Sequence, residues 1–161
     1  MRKLLILVLA LFTLGASSAF AQDDMMDMST QWVGISSGYP LGVVFHYGIE
    51  DLLSEDLDLR INVSAIALGG GFSVVGGADA LYNLDVDLDA PVGVYAGGGL
   101  NVGLSLGGGS AGFAFSARVL GGAEYMITDE FGAFGELRVG LGSFGGFTFI
   151  PSLALGVNYH F

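Results

Sequence analysis

From residue 30 to Phe161 the chain repeatedly alternates large apolar side chains with small or polar ones, and the apolar set carries no charge. Successive side chains of a strand point to opposite faces, so a period of two predicts strands. Eight such segments are expected, over residues 30–37, 41–49, 58–68, 72–84, 92–106, 111–127, 131–142 and 147–161. In the third, Leu59, Ile61, Val63, Ala65 and Ala67 share a face opposite Arg60, Asn62 and Ser64. In the last, Phe147, Phe149, Leu153, Leu155, Val157, Tyr159 and Phe161 oppose Thr148, Ser152, Asn158 and His160.

Which face meets solvent is read from where the charges fall. A soluble sheet turns a polar face rich in Lys and Glu to water. Here the polar face is rich in Gly, Ser and Asn, which suits a narrow interior, while the uncharged apolar face suits hydrocarbon. Composition points the same way. The chain combines 52% hydrophobic residues with 16 acidic ones, a mean hydropathy of +0.66, and 28 glycines that helices tolerate poorly. Past the N-terminus no run of ~18 uninterrupted apolar residues is present, so helical spans are not expected. A closed barrel is the remaining way to face lipid with every backbone group bonded.

The first 21 residues read as a cleavable export signal: Arg2 and Lys3, an apolar stretch over 4–14, and Ala19-Phe20-Ala21 as the cleavage site. A Met-rich acidic leader over 22–29 follows, then one barrel domain over 30–161. The chain has no Cys, so neither a lipoprotein anchor nor a disulfide framework is expected. Removing Arg2 and Lys3 leaves three Arg against 16 acidic residues, a formal charge of −13 in place of −11. Such acidity speaks against nucleic acid as a partner.

Two kinds of connection alternate. After the second, fourth and sixth segments they are acidic, over 50–56, 85–89 and 128–130; after the others they are Gly-rich, over 38–40, 69–71, 107–110 and 142–146. Tyr47, Tyr82, Tyr125 and Tyr159 stand on the apolar face just before an acidic connection or the terminus, each followed two residues later by Ile49, Leu84, Ile127 or Phe161. A ring with a polar tip suits the membrane interface. Phe72, Phe113 and Phe147 lie 10, 12 and 12 residues before their tyrosines. At ~3.3 Å per residue and a tilt of ~40°, that spacing spans ~25–30 Å along the membrane normal.

The terminal Phe161, with Tyr159, Val157, Leu155 and Leu153 at alternate positions before it, resembles the assembly signal of bacterial outer-membrane barrels. In size and strand number the mature chain is similar to the small eight-stranded group of OmpX and OmpA transmembrane-domain type. The resemblance implies an all-β, closed, eight-stranded antiparallel up-and-down transmembrane barrel in the bacterial outer membrane. It implies outer-membrane lipid and the barrel-insertion machinery as partners, a monomer, and both chain ends with the acidic connections in the periplasm. The Gly-rich connections, which this orientation places outside, have three to five residues and are shorter than the outer loops those barrels usually carry, which counts against adhesion through long loops.

Past the first residue of each expected strand, six charges face inward, Arg60, Asp79, Arg118, Glu124, Glu136 and Arg138, three of each sign. Buried charges are costly unless paired, so a hydrogen-bonded network across the lumen is expected, closing the barrel and fixing its register. Exchange of partners within it would instead open a narrow path for ions or water. His46 and His160 also face inward. They are read as lumen histidines rather than catalysts, because lipid would meet a face with no Ser-His-acid set. No metal-ligand spacing, phosphate loop or nucleotide fingerprint stands out, so no cofactor and no enzymatic activity are expected. Three roles follow in order: an envelope-structural or interaction barrel with a plugged lumen, a narrow pore, and a periplasmic lipocalin-like carrier.

Overall fold

The structure, a computed structural model, describes residues 31–39, 42–68, 71–86, 88, 90–107, 110–143 and 147–161. The expected export signal and leader lie outside them, as do the tips of the Gly-rich connections. Eight strands follow in order: β1 Gln31–Tyr39, β2 Gly42–Ser54, β3 Leu57–Leu68, β4 Gly71–Leu84, β5 Val92–Gly107, β6 Ser110–Met126, β7 Phe131–Ser143 and β8 Phe147–His160. Each pairs antiparallel with its neighbour in sequence, and β1 pairs with β8 to close the barrel. Closure leaves no sheet edge with unpaired backbone groups.

The seam is bonded down to the chain end, where Gln31 and Phe161 exchange backbone N–H···O bonds of 3.3 and 2.9 Å. The terminal aromatic is thereby held beside the first strand. Side chains alternate around the ring as the period of two requires. Leu100, Val119, Leu137 and Leu155 are exposed on the outer wall, whereas Arg60, Asp79, Asn101, Glu136 and Asn158 are buried inside. Tyr82, Tyr125, Tyr159, Phe131 and Phe161 face outward at the acidic end. Tyr159 lies 5.0 Å from Phe131 and 6.1 Å from Phe161 between ring centroids. Tyr47 shares that level and donates its hydroxyl to Gln31 Oε1 at 2.7 Å.

The expected boundaries match to within two residues except at β2, which continues through residues 50–54 where the acid-rich pattern predicts a connection. The register shifts between Ile49 and Ser54, and Asp51 adopts φ 55°. Asp tolerates that left-handed conformation better than most residues. The Asp58 carboxylate accepts the Asp51 N–H at 3.0 Å and the Asn83 side-chain amide at 2.9 Å. A bulge fastened from inside by one carboxylate thus lengthens the hairpin, a non-local contact the local pattern does not announce. The β6–β7 turn is closed by Thr128, whose Oγ1 accepts from Phe131 N at 3.0 Å and Glu130 N at 3.3 Å.

Large inward side chains are seated on glycines of the adjoining strand. Trp32 is in register with Gly48, Tyr95 with Gly122, and Phe134 with Gly156. In each pair a Cβ added to the glycine would strike the facing ring. An eight-stranded interior has room for only one large group of such a pair, which accounts for these three glycines.

Candidate functional site: the buried charge layer of the lumen

Arg60 projects inward from β3, and its ladder neighbour Asp79 projects from β4. Arg60 Nε donates to Asp79 Oδ2 at 3.0 Å. Its two terminal nitrogens reach Glu136 on β7, Nη1 to Oε2 at 2.7 Å and Nη2 to Oε1 at 3.2 Å. In the closed ring β7 stands four strands from β3 in either direction, so this bidentate pair crosses the full diameter of the lumen.

The other members complete both carboxylates. Arg118 on β6 grips Asp79 with Nε to Oδ1 at 2.8 Å and Nη2 to Oδ2 at 2.7 Å. Asn62 Nδ2 adds a bond to Asp79 Oδ2 at 3.1 Å. Glu136 also accepts from Tyr95 Oη at 3.1 Å and from Arg138 Nε. Arg60, Asp79 and Glu136 are each 1% exposed. Planar guanidinium forks suit carboxylates, and fully bonded acceptors offset the desolvation of burying them.

A chamber lies on each side of this layer. That at the Gly-rich end, about 110 Å³, is lined by Ser36, Ser64, Asn101, Ser116, Arg118, Arg138 and Ser152 among others. That at the acidic end, about 200 Å³, is lined by Trp32, Glu50, Asp58, Arg60, Tyr95, Glu124, Asn158 and His160 among others. The two share no lining residue.

Several solved structures are similar to this closed ring. Neisserial surface protein A aligns with a TM-score of 0.59 and 20% identity, over 83% of this chain and 94% of that one. The N-terminal β-barrel domain of Pseudomonas aeruginosa OprF aligns with a TM-score of 0.60 and 18% identity, over 82% and 96%. A major outer membrane protein from Thermus thermophilus aligns with a TM-score of 0.57 and 17% identity, over 84% and 100%. The fold is that of the small eight-stranded outer-membrane β-barrels. No family model matches the chain, and no curated protein is similar to it.

Within this outer-membrane-barrel fold the six expected network charges divide unequally. Arg60, Asp79, Arg118, Glu136 and Arg138 meet in the central layer. Glu124 is bonded elsewhere, to Asn158 Nδ2 at 3.0 Å and His160 Nε2 at 3.1 Å. Its place on β6 is close to the acidic end, where β8 presents His160, whereas the layer sits mid-barrel. The central layer therefore holds three Arg against two carboxylates, rather than the balanced set expected from counting inward charges.

His160 also contacts Glu50 Oε1 at 3.2 Å, so it belongs to the acidic mouth and not to the mid-lumen. His46 is buried, with Nε2 2.8 Å from Ser36 Oγ and its ring 5.8 Å from Phe134. No carboxylate orients its Nδ1 among the described residues. The pair thus lacks the third member of a hydrolytic triad. No group of His, Asp or Glu among the described residues is arranged to hold a metal ion.

Three contributors are absent from the sequence-based list of charges: Tyr95, Asn62 and Asp58. All three stand on inward positions, Asp58 in the phase of Arg60, and that phase is the signal that would have found them. Trp32, Leu81, Tyr95 and Leu120 form a small apolar cluster inside the barrel toward the acidic end.

Proposed function

We propose that this chain is an exported, non-catalytic outer-membrane barrel whose lumen is shut by the Arg60–Glu136 layer, and that it serves envelope structure or association. The observation that carries the reading is the bidentate Arg60–Glu136 pair spanning the lumen between opposite strands. A pore needs water along its axis, and side chains bonded across the diameter leave a chamber on either side, the two with no lining residue in common. The apolar outer wall, from Val33 and Ile35 through Leu100 and Leu137 to Leu155, supports lipid as its surroundings. That apolar wall also disfavours a periplasmic carrier.

The barrel is expected to be reached through the cleavable signal and inserted by the barrel-assembly machinery acting on the amphipathic last strand, Leu153, Leu155, Val157, Tyr159 and Phe161. It then stands as a monomer with the acidic rim in the periplasm. One observation favours the narrow pore as a second reading: Arg60 lines one chamber while Arg118 and Arg138 line the other. A single layer of side chains therefore separates them, and an exchange of partners would join them.

Conductance of the folded full-length barrel in planar bilayers tests both. The closed reading expects no steady channels at moderate voltage, with stepwise channels appearing on Arg60→Ala. Steady channels from the unaltered protein, changed in size by Arg138→Ala, would replace it with the pore. Recovery of soluble monomer from periplasm without detergent would remove both.

A further inference from the structure

The central layer is not charge-neutral, and its excess lies on one side. Arg118 and Arg138 line the chamber at the Gly-rich end, and no acidic side chain is among that chamber's lining residues. Asp79 is engaged by Arg60, Arg118 and Asn62, and Glu136 by Arg60, Arg138 and Tyr95. Arg138 is 7% exposed, and its Nη2 finds no acceptor among the described residues. A buried guanidinium nitrogen with no acceptor is costly, and the cost falls if an anion enters beside it.

The rest of the chamber has the chemistry to receive one. Ser36, Ser64, Ser116, Ser152 and Asn101 put hydroxyls and an amide around the two guanidinium groups. Ser36 is bonded to His46, Ser64 donates to Val75 O and Asn101 to Ser116 Oγ, so the donors offered to an anion beside the arginines are the Ser116 and Ser152 hydroxyls. Its volume of about 110 Å³ is well above the ~10–15 Å³ that one water requires. The hydrogen-bonded β-wall separates the space from the lipid side, so an occupant comes from solution at the Gly-rich mouth and is small. We propose that this chamber is a binding site for a small free oxyanion, such as sulfate, phosphate or the carboxylate of a small solute, held by Arg138 and Arg118 with serine hydroxyls around it. The site does not depend on whether the lumen conducts, because it needs only the chamber on its own side of the layer.

The test uses ¹⁵N-labelled full-length barrel folded in detergent micelles, with the Arg118 and Arg138 Nε–H resonances followed during titration with sodium sulfate. Ionic strength is held constant with sodium chloride. Saturable shifts of both resonances are expected, and Arg60 should move less because it lines the other chamber. Ser152 is the ladder partner of Arg138, so Ser152→Asp brings a carboxylate of the chain's own beside the free Nη2. That variant should weaken sulfate binding roughly tenfold or more while keeping folded migration on unheated gels. If Ser152→Asp does not fold, Arg138→Lys decides, because an ammonium carries its three donors on one nitrogen, and held at Glu136 that nitrogen no longer reaches the chamber as the separate guanidinium Nη2 does. Its Arg118 resonance should then respond with at least roughly tenfold weaker affinity. The site is overturned if chloride alone gives the same shifts, if the response to sulfate does not saturate, or if the deciding variant binds as tightly as the unaltered barrel.

Discussion

Removing the Glu136 side chain tests whether the charge layer depends on its members or merely collects them. In Glu136→Ala, Arg60 keeps Asp79 as an acceptor, but Arg138 loses the carboxylate its Nε is bonded to and Tyr95 loses its hydroxyl acceptor. The layer then holds three guanidinium groups against one carboxylate inside a wall that leaves Arg60 only 1% exposed. Breaking a buried pair by deleting one partner costs about 3–5 kcal/mol, because the surviving charge stays desolvated. With a urea dependence of about 2 kcal/mol per M, the unfolding midpoint should fall by about 1.5–2.5 M. Folded barrel in lipid vesicles is assayed by its migration on unheated gels and by the fluorescence of Trp32, the one tryptophan of the chain. Adding Arg138→Met to Glu136→Ala removes the stranded cation and should recover part of the loss, with a coupling of about 1–3 kcal/mol between the two sites. A loss under about 0.5 kcal/mol, the level of an ordinary surface substitution, would refute the reasoning. So would an Arg138→Met effect that is the same in both backgrounds.

Three further outcomes follow from particular contacts. Gly48→Ala would drive a Cβ into the Trp32 ring, whereas a Cβ at Gly93 meets nothing within 4 Å. Unfolding midpoints should therefore show a loss of about 1–3 kcal/mol for the first and no loss for the second, and equal behaviour would refute the packing argument. Leu137 is 66% exposed on the outer wall, so Leu137→Arg should cost about 2–4 kcal/mol in a bilayer near its midplane. A neutral effect in vesicles would count against lipid as the surroundings of that face. Tyr47→Phe removes the 2.7 Å bond to Gln31 Oε1 and should cost about 0.5–1.5 kcal/mol. An unchanged midpoint would show that the hydroxyl is equally well satisfied by water at the interface.

Number of strands, inward phase and the chemical difference between the two ends were legible in the sequence, because each rests on residues a few positions apart. Leu59, Ile61 and Val63 face one way and Arg60 and Asn62 the other through backbone geometry alone. The Tyr-x-apolar ends and the two classes of turn repeat that local rule along the chain. The route of β2 through Asp51 was not legible, since the acceptor that secures the bulge, Asp58, lies seven residues on and across a hairpin.

Meetings inside the lumen were decided only by closure and register. Arg60 and Glu136 are 76 residues apart and touch because the ring sets β3 opposite β7. Glu124 shares its inward phase with the other five charges, yet its height on β6 gives it to His160 and Asn158 and leaves an excess of arginine at mid-barrel. The seating of Trp32, Tyr95 and Phe134 on Gly48, Gly122 and Gly156 likewise depends on which residues lie level across the ladder. A period of two determines the side of the wall a residue takes, while its height and its neighbour across the lumen come from the stagger of eight strands joined into a ring.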